Sequence, residues 1–269
     1  MVTGHSTHRL FLNGSSAENA AAVVGFRFGA KGTHSSRTIM FEELSALFGA
    51  TTATSRREEY ASAIVDMNCL AKPTAASRRQ TNQRIGELYS LDFGLPIFRV
   101  FRRLWDTEKT GRPLLALMCA IARDPLLAAT VPAILSLPVG GEFSRDETAA
   151  AVRDSVGDRL NDSTVGKVVR NAASSWTQSG HLSGRTFKKR QQVIATASSV
   201  AFALYLGHAV GFRGVDLFSS AWMAVLDCSP SLGRQLAVEA KRIGLIDLRM
   251  AGDVIELNLD RLDPANARN

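Results

Sequence analysis

The sequence predicts a mainly α protein, a helical bundle carrying helix-turn-helix or winged-helix-like units and a short C-terminal β-hairpin. Three observations carry the prediction. Apolar residues recur at helical spacing through most of the chain, as in Ile39, Leu44, Leu47 and Phe48, or Ile97, Val100, Phe101 and Leu104. Ser, Thr, Asp or Pro precedes most of these stretches, where a side-chain oxygen can accept a free helix N–H or a fixed φ suits the first turn. Strand-like runs are concentrated near the end, at residues 245–249 and 254–259, across Ala251-Gly252.

Composition narrows the class. At 269 residues and 45% hydrophobic content, the chain can build one large or two or three small domains with real cores. Lys and Arg number 32 against 25 Asp and Glu, a net charge of +7 that favours anionic partners without making a disordered polycation. Cys69, Cys119 and Cys228 are scattered and lack CxxC spacing, so neither a disulfide framework nor a zinc site is implied, and no cofactor is expected. A reducing cytoplasm fits, and no uninterrupted apolar run of the secretory kind precedes Arg27. Residues 193–212 carry no Asp, Glu, Lys or Arg and approach a membrane span in length. Thr196, Ser198, Ser199, Gly207, His208 and Gly211 dilute them, so a buried helix at 198–210 is expected and no membrane.

The chain divides into four parts. Residues 1–37 read as a mostly flexible segment with a possible strand at 23–28; His5 and His8 are expected to be solvated. Residues 38–111 read as a helix-turn-helix-like unit. A Ser55–Glu58 capping box opens a helix with Tyr60, Ile64 and Met67 inward. After a short turn, Thr74 caps a helix running to Tyr89. There Thr81, Ile85, Leu88 and Tyr89 face the core. Ala76, Arg79, Gln80 and Gln83 face out, with Arg84 on the flank and Glu87 the only acid. Pro96 opens a third helix whose Arg99, Arg102 and Arg103 extend the basic surface.

Residues 112–192 form a central unit. Two apolar helices begin at Pro113 and Pro125, the second capped by Asp124. Ser144 and Glu147 box a helix to Val156, and Ser163 caps the next. On that helix Val165, Val168, Val169, Ala172 and Trp176 point inward, with Lys167, Arg170, Asn171, Ser174 and Gln178 opposite and Gly180 at its end. Residues 181–193 read as a basic hairpin or wing. Residues 163–190 contain six Lys plus Arg and no acid. Residues 193–269 add helices at 215–227 and 231–243, then the hairpin. Asp247, Asp253, Glu256 and Asp260 give that hairpin a structural or partner-binding character.

The candidate DNA contacts are Lys72, Arg78, Arg79, Gln80, Gln83 and Arg84 on the first basic helix, and Lys167, Arg170, Asn171 and Ser174 on the second. Arg185, Lys188, Lys189 and Arg190 on the wing complete the set. Lys and Arg suit phosphates, while Arg and Gln also have the donor geometry for guanine and adenine edges. A solvated charged face, a scaffold for acidic proteins and RNA binding remain open; no RRM or KH signature supports RNA.

The chain resembles the BrxA-like accessory proteins of BREX anti-phage operons from about residue 37 to 259. The matching features are Asn68-Cys69-Leu70-Ala71-Lys72 before an Arg-rich helix and Ser163-Thr164-Val165 opening the second basic helix. Gly244-Leu245-Ile246-Asp247 with Gly252-Asp253-Val254-Ile255-Glu256 closes the pattern. The resemblance implies a helical, DNA-binding, non-enzymatic protein acting in antiviral defence beside other defence-system proteins. The N-terminal segment and the apolar stretch at 112–139 depart from it. No enzyme is expected on the residues either. Glu239-Ala240-Lys241 matches the ExK part of a nuclease signature but falls on a helix, not a strand, and reads as an ordinary surface ion pair. In Gly180-His181-Leu182-Ser183-Gly184 the serine stands one place late for a hydrolase elbow. Walker A, dinucleotide and HExxH sequences are absent. His208 reads as a hydrogen-bonded core residue.

Overall fold

The structure, a computed structural model, describes residues 10–14, 17–29 and 31–265. It is mainly helical, with two small antiparallel two-stranded sheets. His5 and His8 lie outside the described residues.

Helix α1 (Ala17–Val24) takes up part of the segment expected to be flexible. Its alanines favour helix. In place of the expected strand at 23–28, Gly25 turns the chain at φ +116, and Phe26 packs edge-on to Trp222 with ring centroids 5.8 Å apart. A 3-10 turn at Thr33–Ser35 leads to α2 (Phe41–Gly49), α3 (Arg57–Val65) and α4 (Ala75–Tyr89). The α3 box sits one residue later than Ser55–Glu58: Glu59 accepts the Arg56 N–H, while the buried Ser55 hydroxyl turns back to the Thr52 N–H. Tyr60 and Ile64 are buried, but Met67 is 67% exposed, because α3 stops at Val65 and Asn68 turns the chain at φ 51. Thr74 caps α4 as expected, its hydroxyl accepting the Ser77 N–H at 3.1 Å. Thr81, Ile85, Leu88 and Tyr89 are buried on its inner face.

Helix α5 (Pro96–Trp105) follows, then α6 (Arg112–Arg123), α7 (Pro125–Ala128) and α8 (Val131–Leu135). The chain bends by 105° after α6, where Asp124 accepts the Leu126 and Leu127 N–H groups. The single helix expected from Pro125 breaks in two. Pro132 has no N–H to return to Ala128, and within the break the Thr130 hydroxyl donates to the Leu127 carbonyl.

Ser144 caps α9 (Arg145–Val156), accepting the Glu147 N–H. The cap of α10 (Asp162–Gln178) is Asn161, not Ser163: its side-chain oxygen accepts the Thr164 N–H at 2.9 Å. Asp162 then sits in the first turn, where a carboxylate suits the helix dipole. Strands β1 (Leu182–Ser183) and β2 (Lys189–Arg190) pair Leu182 with Arg190. Helix α11 (Ala197–Ala209) is buried along nearly its whole length. The helix expected at 215–227 is interrupted at Ser220, whose extended backbone separates a 3-10 turn (Gly214–Ser219) from α12 (Ala221–Ala224). Ser229 caps α13 (Pro230–Arg242). Strands β3 (Asp247–Ala251) and β4 (Val254–Asn258) pair Ala251 with Val254, so the two-residue turn is Gly252-Asp253, one place beyond the expected position. Gly252, at φ +61, supplies the left-handed backbone such a turn needs.

One large hydrophobic cluster runs from Phe11 to Leu262 and draws members from both sides of the boundaries expected near residues 111 and 192. A smaller cluster of Leu126, Ala129, Val152, Val156, Val165, Val168 and Val169 lies between α7, α9 and α10. It fixes which face α10 turns outward.

Candidate nucleic-acid interface

The two basic helices hold their charges differently. On α4 and the turn before it, Lys72 pairs with Glu43 at 3.0 Å and Arg84 with Glu87 at 2.8 Å. Arg78 donates to the Val65 carbonyl at 2.8 Å, which ties α4 to α3. Gln80 accepts from Arg37, and Gln83 donates to Glu87. Arg79 is exposed without a partner among the described residues. The Arg99, Arg102 and Arg103 extension is also reduced. Arg99 is clamped to Asp263, and Arg102 is 2% exposed, bonded to Asp106 and held 4.6 Å over the Phe48 ring. Of the three, only Arg103 is exposed. Their spacing had placed all three near the surface, but α5 is enclosed on several sides.

On α10 the smaller cluster takes Val165, Val168 and Val169 inward and leaves Lys167 and Arg170 exposed. Asn171, Ser174 and Gln178 do not join them at the surface. Asn171 donates to the His34 carbonyl, and Gln178 accepts the Phe41 N–H while donating to Ser174. This flank of α10 holds residues 34–41.

The hairpin beside α10 is braced by a third segment. Gly140 donates to the Arg190 carbonyl and Phe143 to the Lys188 carbonyl, while Arg190 donates to Gly141, all at 2.8 Å. Arg185, Phe187 and Lys189 are exposed, Phe187 at 70%. Gly184 makes the tight loop possible: at φ +105, a Cβ there would lie 2.3 Å from the Phe187 carbonyl oxygen. Lys188 is partly committed, donating to Thr177 and to the Gly184 carbonyl. Arg190 is no surface cation. It is 3% exposed and ion-paired with Asp227, which also accepts the Val193 N–H. A shallow groove between α10 and the hairpin is lined by Phe143, Arg145, Arg170, Arg185, Phe187 and Lys188, with Glu142 as its acid. Phe187 and Arg145 were not singled out from the sequence. An aromatic inside the run Arg185-Thr186-Phe187-Lys188-Lys189 was the available signal for the first.

A different constellation lies beneath. His34 Nδ1 is 2.8 Å from Asp124 Oδ2 and its Nε2 is 2.8 Å from Ser175 Oγ. Burial pushes the Asp124 carboxyl up, but the charge and hydrogen bonds of His34 outweigh it and hold the pKa below the usual range. This has the order of a hydrolytic triad, yet His34 and Ser175 are both completely buried. Ser175 Oγ also accepts the Ile39 N–H and donates to the Asn171 carbonyl. With its lone pairs and proton so engaged and no access for substrate, the array acts as a clamp between residues 34–39, the α6–α7 bend and α10.

His181 is likewise buried, between Ser179 and the Val225 carbonyl. Burial, aided by the charge of Arg190, pulls its pKa down to about 4. His208, expected as the core histidine, is half-buried with no ring hydrogen bond among the described residues. Glu239 pairs with Arg242 rather than Lys241. Among the described residues no cluster of metal-ligating side chains occurs, and no single helix is long and apolar enough to cross a membrane. No protein-family model matches this chain, and no curated protein matches it in sequence.

Proposed function

We propose that the protein binds duplex DNA, without catalysis, through the exposed face of α10 and the β1–β2 hairpin. In this reading α9, α10, the hairpin and its bracing segment at 140–143 form a winged-helix-like unit, with α10 as the helix that approaches the groove. The observation that carries it is the set Lys167, Arg170, Arg185 and Lys189. All four are exposed and lack a carboxylate partner among the described residues, on two elements that border one groove. Phosphate contacts dominate such a surface, so sequence preference is weak. The resemblance to BrxA-like proteins supports a place in a BREX-type defence complex in the cytoplasm. The test is binding of the purified chain to a random duplex across a salt series. Four phosphate contacts give a log-log slope of about −3.6, from roughly −0.9 per contact. A flat salt response, or no binding at low salt, removes the proposal.

A second reading, docking of a partner protein, is favoured by the C-terminal region. Leu232, Val238 and Ile243 on or beside α13, with Met250 and Val254 on the hairpin, are large apolar residues at 38–68% exposure. Two of the nearby charge pairs are matched, Arg249 to Glu256 and Arg261 to Asp247, and the exposed apolar residues supply a surface for contact with a partner.

A further inference from the structure

A cleft of about 330 Å³ opens where the end of α4 meets the segment after α1, the start of α3 and the end of α6. Three guanidiniums enter it from those three elements: Arg27, Arg57 and Arg123. Arg27 and Arg57 are exposed at the rim, and Arg123 is 7% exposed. All three are anchored to backbone carbonyls. Arg27 donates to Glu87 O at 3.2 Å, Arg57 to Ser90 O at 3.4 Å, and Arg123 to Glu87 O at 3.3 Å and to Gly25 O.

None of the three is ion-paired among the described residues. The acids beside the cleft are Glu87 and Asp92. Glu87 is taken up by Arg84, Gln83 and Thr33, and Asp92 accepts the Gly94 N–H. Burial lowers the Arg123 pKa to about 10, and repulsion from Arg27 and Arg57 adds to it. Ser90 and Leu91, consecutive non-glycine residues at φ +72 and +57, also line the cleft. Such strain concentrates where a ligand is held.

Capping the last carbonyls of α4 accounts for part of this, since cations suit a helix C-terminus. It occupies three bonds, a fourth goes to Gly25 O, and most N–H donors of the three guanidiniums are left uncommitted among the described residues. We propose that the cleft binds a small phosphorylated molecule, with a phosphoryl or diphosphate group seated between Arg27, Arg57 and Arg123. Guanidinium forks match phosphate oxygens in planar, bidentate fashion. The volume is at the lower end for ligand pockets, which fits pyrophosphate or a mononucleotide rather than a dinucleotide. The cleft shares no lining residue with the α10–hairpin groove, so the proposal stands apart from the DNA reading.

The test titrates sodium pyrophosphate into the full chain by calorimetry, with sodium sulfate as the competing source of anionic charge. Saturable pyrophosphate binding, weaker sulfate binding and a roughly tenfold loss in each of Arg27→Gln and Arg57→Gln are expected. These two side chains are exposed, so their thermal melting without ligand stays near that of the parent, which Arg123→Gln would not guarantee. Arg79→Gln should bind pyrophosphate as the parent does. DNA binding of the two cleft variants should be unchanged, which separates a free phosphate ligand from a DNA backbone phosphate. Absence of saturable binding, equal affinity for sulfate, or equal loss in Arg79→Gln overturns the assignment.

Discussion

Helix α4 carries more basic and amide side chains than helix α10, yet it offers a passing polyanion less free charge. Most of the charged and amide groups on α4 and the turn before it are already answered from within: Lys72 by Glu43, Arg78 by Val65 O, Gln80 by Arg37, Arg84 and Gln83 by Glu87. On α10 and its hairpin, Lys167, Arg170, Arg185 and Lys189 have no carboxylate partner among the described residues. The lesson is that formal charge along a helix measures only the upper limit of what a surface can present. An arginine whose charge is already met by a carboxylate gives up that pairing before it can gain a phosphate, whereas one bonded only to a carbonyl keeps its charge and its other N–H donors.

The comparison can be broken most severely from below. Trp176 is fully buried under α10 and donates to Thr130 at 2.9 Å. Trp176→Ala should cost about 3–5 kcal/mol in denaturant unfolding and abolish DNA binding wherever the fold is lost. Unchanged stability would mean that α10 presents another face. A pH series probes the support of the hairpin. His181 has a pKa near 4 against an ordinary value of 6.5. Between those values the unfolded chain takes a proton and the folded chain does not. The stabilisation is therefore complete above pH 6.5 and declines as pH falls toward 4, by about 3 kcal/mol in all. Comparing the parent with His181→Gln by urea unfolding at neutral and acid pH isolates this share; parallel losses in both would reject it.

The remaining predictions sharpen the contrast between the helices. Replacing Lys167, Arg170, Arg185 and Lys189 singly by Gln should flatten the salt slope by about one unit each, equally on all sequences. Arg84→Gln should leave the slope where it was, since Glu87 already holds that charge; a full unit lost there would put α4 in the interface. The smallest effect belongs to Arg79→Ala and Gln83→Ala. If α4 reads bases, each should narrow the gap between a selected site and a scrambled duplex by about 1–3 kcal/mol. Equal losses on both duplexes refute base reading.

What could be read in the chain follows the distance over which each feature is determined. The caps at Thr74, Asp124, Ser144 and Ser229 depend on neighbours two or three residues away and were legible. The buried stripe of α10 was legible for the same reason. The breaks at Thr130 and Ser220 were missed: Pro132 and the Ser219-Ser220 pair marked them, but the apolar residues on either side continue the helical pattern and outweighed those signals. Which charges stay free was least legible. The partners that decide it, such as Asp227 for Arg190 or Asp263 for Arg99, stand 37 and 164 residues away. The sealing of His181 by Val225 O, 44 residues on, is of the same kind.

The clamp around His34 also sets an order of events during synthesis. Its ring is fixed by Ser175, 141 residues later, and Asn13 bonds Val210 and Gly211, almost 200 residues on. Contacts this distant in sequence form late and slow the approach to the native state. Helices α2 to α5 can assemble as soon as they leave the ribosome. Residues 34–41 gain their bonds to α10, and Asn13 its bonds beyond α11, only once those helices have been made, although Arg27 and Arg37 can meet α4 and α6 earlier. On a stalled nascent chain ending near residue 160, a protease should therefore cut at Arg37 faster than in the full chain. Once residues through Val210 have emerged, that site should be protected, so a segment made early is among the last to be held.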